Sequence, residues 1–249
     1  MKASRLARCT RLSLNGGSLA ILQWLAACSA APGDGAQPGN AAVAAEAPAP
    51  QAGAGGAVAP VAADARLVVA FGDSLYAGYG VTQTESFPAR LQAALAEAGV
   101  KAVVHNAGVS GDTSAAGRQR LGFVLDGLPR RPDLVIVGLG GNDMLRGLSP
   151  DETRANLTAI LDELKQRGIP AMLTGMVAAP NMGPDYVAAF NPIYPQLARQ
   201  YGVPLYPFFL DGVVTDEKLM QADRIHPTAA GIDRVTARIA PLVRQALAR

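Results

Sequence analysis

The sequence is poor in cysteine, in aromatic residues and in long hydrophobic runs. Its 249 residues contain two cysteines, too few for a disulfide framework. Aromatic residues make up 5%, which disfavours a surface built to stack on sugars. No apolar run reaches about 18 residues, so no ordinary membrane-spanning helix is predicted. With 49% apolar and 17% charged residues, the composition excludes a wholly disordered or collagen-like chain.

Most of the chain also lacks an excess of positive charge. The formal net charge is +2, but the first 28 residues hold four basic residues and no acidic one. The remaining residues therefore carry a net charge of −2. A protein with this balance lacks the electrostatic footprint of a nucleic-acid-binding protein, so we expect no nucleic acid partner.

The first 27 residues have the pattern of a secretion signal, with basic residues followed by a short apolar stretch at 19–27. The small residues before Cys28 resemble the lipobox of bacterial lipoproteins, a family in which the signal is removed and this cysteine is lipidated. The resemblance implies a protein of the bacterial cell envelope, periplasmic or at the outer membrane, that meets the membrane through a lipid anchor on Cys28. The alternative is a secreted protein cut at a nearby small residue.

A flexible tether is predicted for residues 28–65. Positions 29–65 contain 16 Ala, 6 Gly and 5 Pro, and no aromatic residue, Leu or Ile. Such a composition buries too little apolar surface to offset the entropy lost on ordering the chain. The folded domain is therefore expected to span residues 66–249.

Residues 66–249 alternate between predicted strands and helices. Short apolar runs predict five strands, at 66–71, 101–105, 133–139, 170–174 and 203–206. Capping residues, first-turn prolines and terminal glycines predict five helices, at 86–98, 113–126, 149–168, 185–200 and 228–248. This alternation predicts an α/β three-layer sandwich, with a mostly parallel five-stranded central sheet and helices on both faces. Ligands of such sheets bind at the carboxyl ends of the strands.

A serine follows the first predicted strand, and a histidine precedes the last helix. Ser74 is placed where a hydroxyl can face a cleft, but serine is a weak nucleophile without a base. Asp223 stands three residues before His226, and in a turn its carboxylate can bind one imidazole nitrogen, leaving the other for a serine hydroxyl. Asp223-x-x-His226 also fits a plain helix-entry turn. The other histidine, His105, is interpreted as a structural residue of the second strand.

Two further segments at the same edge offer hydrogen-bond donors. Gly111 follows the second strand and Asn142 the third, and a glycine N–H or a side-chain amide can stabilise a tetrahedral oxyanion. Asn142 is equally compatible with an ordinary turn. The motifs of an α/β-hydrolase elbow, a dinucleotide fingerprint, a Walker loop and a zinc site are absent. We therefore expect no cofactor and no metal.

Taken together, these blocks resemble the SGNH (GDSL) hydrolases. Gly-Asp-Ser-Leu at 72–75, Gly111, Gly-Asn-Asp at 141–143 and Asp-x-x-His at 223–226 stand in the order of that family. The fuller segments around these blocks, at 72–79, 110–114 and 139–143, look like its bacterial acyl-thioesterase, lysophospholipase and arylesterase branch. The resemblance covers about residues 66–249 and implies the flavodoxin-like fold of these enzymes.

The resemblance also implies a role for each matching residue. Ser74 would be the nucleophile, His226 the general base and Asp223 the residue that orients the histidine. The N–H groups of Ser74 and Gly111 and the side chain of Asn142 would form the oxyanion hole. Because the base must be neutral, activity should rise towards neutral and mildly alkaline pH.

The implied reaction is hydrolysis of a small-molecule acyl or aryl ester, of lysophospholipid, thioester or arylester type, through an acyl-serine intermediate. A polysaccharide O-deacetylase with the same triad and a non-catalytic envelope lipoprotein are the alternatives. An apolar loop at 176–183 follows the fourth strand at the same edge and could line an acyl groove. The candidate substrate-binding residues are Leu75, Tyr76, Met144, Ala179, Pro180 and Asn181.

Overall fold

A computed structural model of the chain describes residues 61–249. The predicted signal segment, Cys28 and the tether up to residue 60 lie outside the described residues. The strands are β1 Arg66–Gly72, β2 Ala102–Gly108, β3 Leu134–Gly138, β4 Ala171–Thr174 and β5 Leu205–Tyr206. The helices are α1 Ser74–Ala77, α2 Phe87–Glu97, α3 Ser114–Asp126, α4 Gly141–Leu145, α5 Pro150–Gln166, α6 Pro184–Phe190, α7 Ile193–Tyr201 and α8 Ala229–Leu247.

The strands form one parallel sheet in the order β2-β1-β3-β4-β5. Side chains of β1 alternate between two apolar layers, because successive residues of a strand point to opposite faces. Val69 and Phe71 pack with α3, α5, α6 and α7, whereas Val68 and Ala70 pack with α2 and α8. The predicted parallel sheet between two helical layers is confirmed. Within residues 61–249, no helix has the length and apolar character needed to cross a membrane.

The structure differs from the sequence prediction in its shorter helices. The helix predicted at 185–200 is two helices, α6 and α7, and Pro192 is the N-cap residue of the second. Helices α1 and α4 were not predicted, since four or five residues are too few to show a helical period. These two helices directly follow β1 and β3, and they carry Ser74 and Asn142.

A row of glycines ends the three strands nearest α1. Gly72 pairs in register with Gly108 on one side and with Gly138 on the other. A Cβ atom on Gly72 or Gly138 would lie 2.5 or 2.3 Å from the ring of Tyr76, and one on Gly108 would lie 2.3 Å from the backbone nitrogen of Ala77. The glycines thus leave the space in which α1 lies directly on the carboxyl end of the sheet.

Candidate active site

The candidate site lies where the strand order reverses, between β1 and its neighbours. Ser74 is the first residue of α1, after β1, and Asn142 belongs to α4, after β3. Gly111 lies in the loop between β2 and α3, and His226 lies three residues before the start of α8. All four residues line one cleft, at the edge of the sheet where this topology places ligands.

Ser74, His226 and Asp223 form one hydrogen-bonded chain. The Nε2 atom of His226 is 2.8 Å from Ser74 Oγ, and its Nδ1 atom is 2.6 Å from Asp223 Oδ2. The carboxylate therefore occupies one ring nitrogen and leaves the other facing the hydroxyl. This arrangement can pass the hydroxyl proton to the imidazole.

The turn that carries His226 is shaped by the same aspartate. Asp223 Oδ1 accepts the backbone N–H groups of Ile225 at 2.9 Å and His226 at 3.0 Å. Partial burial acts to raise the pKa of Asp223, but hydrogen bonds from the His226 ring and these N–H groups lower it below its usual range. Arg224, between them, has a left-handed φ of 57°. Asp223 thus stabilises the tight turn in the conformation that presents the His226 ring to Ser74.

Two residues with hydrogen-bond donors line the cleft beside the serine: Gly111 through its backbone N–H and Asn142 through its side-chain amide. Gly111 adopts a φ of +85°, a conformation that favours glycine. The Nδ2 atom of Asn142 donates to the carbonyl of Asp112 at 2.9 Å, and because an amide carries two N–H groups one remains for a ligand. Arg146 donates to the carbonyl of Gly111 at 2.8 Å and fixes this loop. These donors can receive an oxyanion that forms at a carbon bonded to Ser74 Oγ.

A buried carboxylate joins the helices behind the site. Asp143 accepts the backbone N–H of Ser114 at 2.7 Å and the hydroxyl groups of Ser114 and Thr153. These contacts tie α4 to α3 and α5. Asp143 is therefore a structural anchor for the helix that presents Asn142, not a group that faces the cleft.

Asp73, immediately before the serine, is buried beside other carboxylates. Its Oδ1 atom accepts the backbone N–H of Leu75 at 3.0 Å and caps α1. Burial raises the pKa of Asp73 to about 7, against an ordinary value of 3.8, and the nearby charges of Asp112 and Asp143 act in the same direction. The carboxylate form of Asp73 is consequently disfavoured in the folded protein.

Asp73→Asn should stabilise the protein at alkaline pH. With a raised pKa in the folded state, the acid contributes stability at low pH that is lost as the pH rises from about 4 to about 7, by roughly 4 kcal/mol. Asparagine keeps the oxygen that caps α1 and carries no charge. We expect the difference in unfolding free energy, variant minus wild type, to become more positive between pH 5 and pH 8.5. Urea titrations at each pH measure this difference. Parallel pH profiles for both proteins would contradict this account.

The cleft has a volume of about 810 Å³ and mostly apolar walls. Of the predicted substrate-binding residues, Leu75, Met144, Ala179 and Pro180 line it. Asn181 does not, since it lies exposed in the 3₁₀ turn Pro180–Met182, beyond the wall.

Tyr76 also lies outside the cleft, so this part of the prediction is wrong. The side chain is buried under the glycine row, with 1% exposed. Its ring packs on Phe87 and Phe209 at centroid distances of 5.1 and 5.3 Å, and its hydroxyl lies 2.7 Å from that of Thr174. Helix α1 turns Tyr76 towards the core while it turns Ser74 towards solvent.

Sequence reasoning missed much of the cleft wall. Arg146 and Arg224 line the cleft, and neither is among the predicted substrate-binding residues. The apolar loop at 176–183 does line the cleft, through Met176, Val177 and Ala178 as well as Ala179 and Pro180. Lining residues outside that loop that the sequence did not indicate include Tyr79, Ser110, Leu145, Phe208, Leu210, Val214 and Ile225. His105 is half-buried in β2, where burial lowers its pKa, and it does not line the cleft. Within residues 61–249, no three acidic, histidine or cysteine side chains cluster as a metal site would require.

A serine, a histidine and an aspartate in one hydrogen-bonded chain, beside two oxyanion donors and an apolar cleft, are the features of a serine hydrolase. Residues 70–234 match the model of the GDSL-like lipase/acylhydrolase family. The chain belongs to this family.

Proteins of similar sequence and structure support this membership. The chain is 38% identical over 185 residues to Esterase TesA of Pseudomonas aeruginosa, covering 74% of this chain and 91% of that protein. It is 41% identical over 166 residues to Thioesterase 1/protease 1/lysophospholipase L1 of Escherichia coli strain K12, covering 67% and 76%. The crystal structure of AlinE4, an SGNH-hydrolase family esterase, has 52% identity and a TM-score of 0.64, covering 75% of this chain and 98% of that one.

Proposed function

We propose that the protein is a serine esterase that hydrolyses acyl or aryl esters through an acyl-serine intermediate. The observation that carries the proposal is the chain from Asp223 through His226 to Ser74, with distances of 2.6 and 2.8 Å. This chain opens into the apolar cleft. An apolar cleft beside an activated hydroxyl suits an ester with a hydrocarbon acyl group.

The mechanism follows from these positions. Ser74 Oγ attacks the ester carbonyl carbon while its proton moves to His226 Nε2, and the negative charge gathers on the carbonyl oxygen. The N–H groups of Ser74 and Gly111 and the free N–H of Asn142 receive that oxygen. Collapse of this intermediate breaks the bond to the alcohol, which takes the proton from His226 and leaves an acyl group on Ser74.

A water molecule then completes the reaction. His226, neutral again, takes a proton from the water as its oxygen attacks the acyl carbon, and the same donors receive the oxyanion. Collapse returns the proton to Ser74 Oγ and releases the carboxylic acid. Asp223 stays ionised throughout and stabilises the imidazolium, a role that its lowered pKa favours.

The dependence of activity on the length of the acyl chain tests this function. Against p-nitrophenyl esters from acetyl to palmitoyl, we expect activity to peak between butyryl and decanoyl, because apolar residues line the cleft. Rates are compared as kcat/KM at one pH, with Ser74→Ala as the blank. Activity confined to acetyl would instead favour a polysaccharide O-deacetylase. No activity above the blank would contradict the esterase and favour a non-catalytic envelope protein.

We further propose that Cys28 carries a lipid and anchors the protein in the bacterial cell envelope. The support is the arrangement of basic residues, a short apolar stretch and small residues directly before this cysteine. Residues 29–65 would then form the tether between membrane and enzyme. Cys28→Ser should move the protein from the membrane fraction to the soluble fraction of the envelope, and retention in the membrane fraction would contradict the anchor.

A further inference from the structure

One glutamine joins the loop that carries His226 to the loop that follows Ser74. Gln221 Nε2 donates to the carbonyl of Tyr79 at 2.8 Å and to the carbonyl of Pro227 at 2.9 Å. The backbone N–H of Gln221 donates to the carbonyl of His226 at 2.8 Å. Gln221 therefore holds both sides of the serine–histidine contact at once, although it does not line the cleft.

Tyr79 extends this connection to the imidazole itself. Its ring lies against the ring of His226, with centroids 4.3 Å apart and planes inclined by 31°. Its backbone N–H donates to the carbonyl of Ser74 at 3.2 Å. Gly80 has a φ of +73°, and a Cβ atom there would lie 2.1 Å from Gln221 Oε1, so the glutamine lies close against this backbone.

We propose that Gln221 and Tyr79 are positioning residues for His226. Gln221 fixes the loop of Tyr79 to the turn of His226, and the Tyr79 ring then supports one face of the imidazole. The edges of the imidazole are already bound by Asp223 and Ser74, so the ring keeps the orientation that proton transfer requires. The inference rests on the proposed function, in which His226 accepts the Ser74 proton. A misplacement of about 1 Å at such a contact can lower a rate about 100-fold.

The main test is Gln221→Met, which keeps an unbranched side chain and removes both side-chain donors. We expect kcat for p-nitrophenyl butyrate to fall roughly 10- to 100-fold, with KM within about twofold, since the cleft wall is unchanged. Gln92→Met is the matched control, because within residues 61–249 Gln92 Oε1 accepts only the N–H of Val104, at 2.9 Å, away from the cleft. The control should keep wild-type kcat.

Tyr79 provides the second pair of variants. Tyr79→Leu removes the aromatic support and should lower kcat as Gln221→Met does. Tyr79→Phe keeps the ring and should lower kcat far less than Tyr79→Leu does. The double variant Gln221→Met/Tyr79→Leu should be little slower than either single variant, because both changes release the same ring. If Gln221→Met does not fold, the contrast between Tyr79→Leu and Tyr79→Phe decides the question.

A spectroscopic readout separates positioning from general stability. The chain has two histidines, so the ring N–H proton that His226 shares with Asp223 can be assigned by NMR against His105. We expect this signal to be lost by exchange with water in Gln221→Met and in Tyr79→Leu, and to persist in Gln92→Met. Unchanged kcat and an unchanged signal in Gln221→Met would overturn the inference while an active wild type keeps the esterase intact. A wild type inactive on every ester would overturn the proposed function instead.

Discussion

Ser74→Ala should abolish ester hydrolysis, lowering kcat/KM by about 10⁴-fold or more. The variant lacks the oxygen that lies 2.8 Å from His226 Nε2, so no acyl-enzyme can form. The measurement is hydrolysis of p-nitrophenyl butyrate, with thermal unfolding to show that the fold is retained. Ser110→Ala is the matched control, because Ser110 lines the same cleft and no role in the reaction is assigned to its hydroxyl. Its effect should be far smaller.

Removing the base should have a comparable effect, and the two losses should not add. His226→Ala leaves a hydroxyl with no acceptor for its proton, so the reaction stops at the same step. The double variant Ser74→Ala/His226→Ala should therefore be about as slow as Ser74→Ala alone. If Ser74→Ala kept about a tenth of the wild-type activity, the nucleophile would have to be another residue. Losses that multiplied in the double variant would mean that the two residues act in separate steps.

The sequence predicts the parts of the site that depend on residues close together in the chain or directly after a predicted strand. Asp223 and His226 are three residues apart, so a single turn brings carboxylate and imidazole together. Ser74, Gly111 and Asn142 each follow a strand whose apolar run is plain in the sequence. Since parallel strands end at one edge of the sheet, placing the strands was enough to place these residues near one another.

The parts that were missed depend on distant contacts. Gln221 and Tyr79 are 142 residues apart, and nothing in either local sequence indicates that an amide of one meets a carbonyl of the other. The cleft wall formed by Phe208 and Val214 comes from an irregular segment after β5, where no periodicity fixes a side-chain direction. Tyr76 was misplaced for a related reason, because its direction depends on space above Gly138 in another strand.

Tyr76→Ala should be the most destabilising single change considered, by about 3–5 kcal/mol. The substitution empties a fully buried site where two aromatic rings and the Thr174 hydroxyl contact the tyrosine. Tyr76→Phe is the control, since it keeps the ring and loses only the contact with Thr174, at about 1–2 kcal/mol. Urea unfolding at one pH measures both. Because Tyr76 does not line the cleft, Tyr76→Phe should also keep the acyl-length profile of the wild type. An altered profile would mean that Tyr76 contacts the substrate after all.

The glycine row provides a sharper test of the same packing. A methyl group on Gly138 would lie 2.3 Å from the Tyr76 ring, so Gly138→Ala should destabilise the protein by roughly 1–3 kcal/mol or more through overpacking. In a Tyr76→Ala background the ring is gone and the methyl group enters the cavity, so the added destabilisation should be much smaller. Unfolding free energies of the four proteins form a double-mutant cycle. If Gly138→Ala has the same effect in both backgrounds, Gly138 is not required to leave space for the Tyr76 ring. The position of α1 at the carboxyl end of the sheet would then have another cause.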